Sequence, residues 1–145
     1  MGIVQSAKEN DLQVVISFTV ETDGNLPSGE SLKEAIESID NATHNYPLYY
    51  MINCAHPSHF IKQLQKEEDW QLRVKGIRAN ASCKSHVELD EATELDSGDT
   101  LDFGNWHKTL KSKLPNLSIY GGCCGTDTSH IEAICDNLGL KSAIH

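Results

Sequence analysis

Leu117-Ser118-Ile119-Tyr120-Gly121-Gly122-Cys123-Cys124-Gly125-Thr126 decides how the rest of the chain is read. A short apolar run enters a glycine-flanked bend that carries two adjacent thiols. Neighbouring residues of an extended strand point to opposite faces, so Cys123 and Cys124 can serve one site only where the backbone turns. Gly121, Gly122 and Gly125 allow the dihedrals of such a turn. Downstream, Ser129 and Glu132 have capping-box spacing. Ile131, Ile134, Cys135 and Leu138 form an apolar stripe, and Gly139 suits a helix C-cap. The unit reads strand, thiol-bearing bend, helix.

The same order recurs three times upstream. Val14 to Val20 is nearly continuously apolar, as a strand buried on both faces should be. Ser31 and Glu34 then have capping-box spacing ahead of Leu32, Ala35, Ile36 and Ile39 on one helical face. A second strand, Leu48 to Asn53, ends at Cys54, and Phe60, Ile61 and Leu64 mark the helix after it. A third, Val74 to Asn80, leads into an acidic stretch with Glu88, Asp90, Glu91, Glu94, Asp96 and Asp99, read as a solvated loop. Trp106, Leu110 and Leu114 mark the next helix, which Pro115 ends. Four consecutive βα units predict an α/β fold with a parallel sheet and right-handed crossovers. The unusual residues all fall just after strands, where such folds place their sites. No linker or low-complexity tract divides the chain, so residues 1–145 are expected to form a single domain.

Composition narrows the function. The 145 residues carry 21 acidic and 12 basic side chains, a net charge of -9, with pI ≈ 5.1 and mean hydropathy -0.40. That balance argues against nucleic acid or an anionic membrane as a main partner, because phosphate binding needs clustered Lys and Arg. No apolar run approaches the ~20 residues that cross a bilayer, and the N-terminus lacks secretory-signal character. The five cysteines are odd in number and two are adjacent, which fits a reducing cytoplasm better than a secreted disulfide framework.

Cys54, Cys123 and Cys124 are the candidate metal ligands. Thiolate is a soft donor that favours zinc over magnesium or calcium, and three protein ligands leave zinc a fourth position. Three thiolates bring the net charge of such a site to -1. It is a poor activator of water but well suited to keeping a further thiol deprotonated, since a free thiol with pKa about 8.5 is mostly protonated at neutral pH. Other readings of the same residues are small thiols packed at strand ends, a structural zinc site, or a redox or metal-buffering pair at Cys123 and Cys124. Cys135 belongs to an apolar stripe and Cys83 to a loop. His56, His59 and His130 flank the cysteine segments as cap and loop residues. Asn53 and Asn80, at strand ends, either form turns or orient substrate and the surroundings of the site. Gly121, Gly122 and Gly125 do not have dinucleotide-fingerprint spacing.

These segments resemble the homocysteine S-methyltransferase family. The resemblance is carried by Ser17-Phe18-Thr19, Ile52-Asn53-Cys54 with Pro57, Gly76-Ile77-Arg78-Ala79-Asn80, and Gly121-Gly122-Cys123-Cys124-Gly125-Thr126 followed by His130-Ile131. The family is a (β/α)8 TIM-type barrel, and these segments match its strands five to eight. The resemblance implies a C-terminal half-barrel, with Met1 inside the helix before strand five. It implies a Zn²⁺ cofactor on Cys54, Cys123 and Cys124, and methyl transfer to homocysteine from S-methylmethionine or S-adenosylmethionine, giving methionine. The family's Asp-Gly-Gly-type first strand and its fourth-strand glutamate have no counterpart here. An inactive fragment that keeps the fold is therefore the alternative. A homodimer, or a separate N-terminal half-barrel, would supply the strands that four units lack.

Overall fold

The computed structural model describes residues 2–94 and 96–140; the expectation for Met1 lies outside them. α1 (Gly2–Glu9) precedes β1 (Ile16–Thr19), α2 (Leu32–Thr43) and β2 (Tyr50–Asn53). Three 3-10 turns, Pro57–His59, Ile61–Leu64 and Asp69–Arg73, lead to β3 (Val74–Ala79). Then come α3 (His86–Glu91), α4 (Thr100–Lys113), β4 (Ile119–Gly122) and α5 (Thr128–Leu138).

The four strands lie in chain order and every pair is parallel. All strand C-termini therefore open on one edge. This is the expected α/β sheet, and it is consistent with half of a barrel. Tyr50, Ile52, Val74, Ile77 and Ala79 pack under the helices with Leu32, Ile36, Phe103, Leu110 and Ile134 in one apolar cluster. The strand residues of opposite parity face away from the helices. Register aligns Ser17 with Met51 and Gly76, and Thr19 with Asn53, Arg78 and Gly121.

That second face corrects the reading of β1 as buried on both sides. Ser17 and Val15 are exposed, because no described element covers the sheet there. Strand boundaries also differ. Residues 14–15 and 48–49 lie outside the strands, and Gly121 and Gly122 belong to β4, so the bend begins at Cys123. The helix expected around Phe60 is a series of 3-10 turns. Phe60 and Leu64 are buried as the spacing required, but Pro57 opens the segment and Gln63 spends its amide on Gly24, Asn25 and Leu32. The acidic stretch contains α3, capped by Ser85. The Ser31/Glu34 capping box forms as expected. The last helix is instead boxed by Asp127 and His130, two residues earlier than Ser129/Glu132.

Candidate functional site

The C-terminal ends of β2, β3 and β4 carry Cys54, Asn80 and Cys123. Backbone bonds run past the formal strand ends and hold these segments together. Cys54 N–H donates to Arg78 O, Asn80 N–H to Ala55 O, Cys123 N–H to Ala79 O and Ala81 N–H to Cys124 O. The sheet itself thus sets where the thiols sit.

Cys54 and Cys123 meet. Their sulfurs are 2.7 Å apart in a hydrogen-bonded contact that spans 69 residues of sequence. Cys54 sits at φ 55, a left-handed conformation costly for a residue with a Cβ and often found at functional sites. Burial pushes the Cys54 thiol up, and its bond to Cys123 adds to that; Asn53 and the charge of Arg78 act in the opposite sense.

Cys124 follows Cys123 on the bend and is exposed. Its N–H donates to the Oδ1 of Asn80 at 3.2 Å, and Asn80 is only 1% exposed. The Cys123 carbonyl accepts from Thr126 twice, from N–H at 3.2 Å and from the hydroxyl at 2.7 Å. This closes a four-residue turn with Gly125 at φ +79, where a positive φ suits glycine. Gly122 serves a different end, because a Cβ there would run into the Thr126 side chain.

Asn53 lies beside this group. Its amide donates to Thr19 Oγ1 at 3.1 Å and its carbonyl accepts from Ser17. Ser17-Phe18-Thr19 is therefore the strand that orients Asn53, a role the sequence motif did not disclose. Thr126 and Arg78 were likewise visible in the motifs without a role.

The flanking histidines clip loops, as expected for cap and loop residues. His59 Nε2–H donates to Cys83 O at 2.8 Å. His130 Nε2–H donates to Ser97 O at 2.7 Å while its Nδ1 accepts from Asp127 N–H. His56 Nδ1 accepts from Ser58 N–H. Burial holds the His56 imidazole down at about 4. Cys83 is exposed, and Cys135, on α5, is half-buried.

Cys54 and Cys123 fit a thiophilic metal in donor type and in convergence. Among the described residues, no group of three or more His, Cys, Asp or Glu side chains is arranged as a metal site. Among the same residues, no helix is long and apolar enough to cross a membrane. A family model described as homocysteine S-methyltransferase matches residues 2–138. No curated protein matches the chain.

Proposed function

The chain belongs to the homocysteine S-methyltransferase family, and on that premise we propose that it moves a methyl group from a sulfonium donor to the thiol of homocysteine, giving methionine. S-Methylmethionine and S-adenosylmethionine are the donors considered. Cys54, Cys123 and Cys124 would hold zinc. When bound, zinc supplies a soft Lewis acid that favours the deprotonated form of a substrate thiol.

The observation that carries this reading is the Cys54–Cys123 sulfur contact, made by two strands that do not pair with each other. The remaining residues position. Asn80 and Thr126 fix the bend, and Asn53, braced by Ser17 and Thr19, flanks Cys54. The substrate thiol gives up its proton to solvent, and its thiolate sulfur attacks the sulfonium methyl in line. An S–C bond forms, the donor S–C bond breaks, and a neutral thioether departs without needing a proton. No general acid is required, which agrees with histidines committed to loop contacts.

We also propose that residues 1–145 form one domain, a half of a (β/α)8 ring, and that a second copy or a separate half-barrel meets the open face. A cytoplasmic location fits the unpaired thiols.

Metal analysis of purified protein beside Cys123→Ser tests the site. About one zinc per chain in the wild type, lost in the variant, supports it; equal metal in both overturns it. Zinc-loaded protein that makes no methionine from homocysteine and donor would favour the inactive-fragment reading.

A further inference from the structure

Arg78 is the one charged side chain among the described strand residues that face the uncovered side of the sheet. It stands between Asn53 on β2 and Gly121 on β4 in register. Gly121 makes room for it: a Cβ there would lie 3.2 Å from Arg78 Cγ. The side chain is exposed. Among the described residues it forms no ion pair, although the chain carries 21 carboxylates. Its backbone carbonyl holds the Cys54 N–H, which ties its position to the thiol pair.

An arginine fork matches a carboxylate in two parallel hydrogen bonds. An amino-acid thiol carries that carboxylate a short aliphatic spacer away from its sulfur. We infer that Arg78 receives the α-carboxylate of the thiol substrate and so makes the site select amino-acid thiols over simple alkyl thiols. The inference rests on the reading of Cys54 and Cys123 as the thiol-binding metal site.

Cobalt(II) takes soft tetrahedral sites and reports sulfur ligation through its charge-transfer absorption. The full chain is loaded with cobalt(II) and titrated, without methyl donor, with homocysteine and with aminopropanethiol, the same skeleton lacking the carboxylate. Leaving the donor out ensures that only the acceptor's carboxylate can respond. Arg78→Gln is expected to weaken homocysteine about 10- to 100-fold, the range for a hydrogen bond to a charged group. Aminopropanethiol affinity should be unchanged, and Arg78→Lys should recover part of the loss. An unaltered cobalt band before thiol addition shows that a variant is folded; if Arg78→Gln fails that check, Arg78→Lys takes its place in the comparison. Equal loss of both thiols, or loss of neither, overturns the assignment and leaves the metal site standing. A wild-type chain that takes up no cobalt, or shows no response to homocysteine, overturns the site reading and this assignment with it.

Discussion

Cys54 shows at a single residue what sequence can and cannot disclose. Its place after an apolar strand marked it for chemistry, but nothing in Ile52-Asn53-Cys54 announces φ 55. The N–H of that residue is held by Arg78 O on the neighbouring strand, a long-range partner that no local motif discloses. The adjacency of Cys123 and Cys124 invited treating them alike. Tertiary packing gives them different partners, a sulfur for the Cys123 side chain and the Asn80 amide oxygen for the Cys124 N–H. Asn80→Ala should therefore act twice. Removing a buried acceptor costs about 1–3 kcal/mol, readable by urea unfolding. Loosening the segment that carries Cys124 should weaken zinc about 10- to 100-fold, as loss of a neighbour that orients ligands does, readable by competition with a chromophoric chelator. A stability loss with unchanged zinc affinity would make Asn80 a purely structural residue.

At the scale of elements, the βα order was legible because apolar runs and capping boxes are local signals. The boundaries were not. β4 extends through Gly121 and Gly122 because both lie against β3 and pair with it, which no propensity suggests. The box on α5 moved to Asp127 because His130 is held in place by Ser97 from another loop. α4 carries a feature with a measurable consequence. His107 is fully buried, its Nδ1–H donates to Phe103 O at 2.8 Å, and its Nε2 finds no partner among the described residues. Burial holds its imidazole below the usual value, near 6.5 for a free side chain. The unfolded chain therefore takes up a proton at a pH where the folded chain does not. The stability this group confers is complete above about pH 6.5 and falls as pH drops toward the folded-state value, by up to about 1.4 kcal/mol per pH unit. His56 shares the sign and is present in both proteins when wild type is compared with His107→Phe. Urea unfolding between pH 7.5 and 5.5 should show a shallower decline in the variant. Its stability at pH 7.5 should lie within about 1.5 kcal/mol of wild type, since an aromatic of similar volume replaces an orphaned nitrogen. Parallel pH profiles would show that His107 does not couple to folding.

Among the described residues, the sheet is closed at one end and on one of its faces, and open on the other face. At the strand N-termini Arg73 is the staple. It grips both Asp40 oxygens from α2 and the carbonyls of Pro47 and Leu48 before β2, while Tyr50 donates to the same carboxylate. With the two side chains only 25% and 11% exposed, Arg73→Ala strands a largely buried charge and should cost about 3 kcal/mol in urea unfolding, without moving the zinc content. The opposite condition holds on the face of Ser17, Met51, Asn53, Arg78 and Ile119. Both outer strands, β1 and β4, leave a row of backbone groups without a described partner, and such edges template pairing with another chain. In the proposed pairing with a second copy, a two-fold axis would join like patches. Light scattering should therefore give a mass rising with concentration from the 16.0 kDa of one chain toward twice that value. The melting temperature should rise in step, because association stabilises the folded state by mass action. Ile119→Lys places a charge on the open face of edge strand β4 and should hold the mass at one chain while leaving Cys54 and Cys123 in place. A chain that stays monomeric at every concentration, with a sharp and concentration-independent melting transition, would mean that the open face is stable in water and that pairing is no part of this fold.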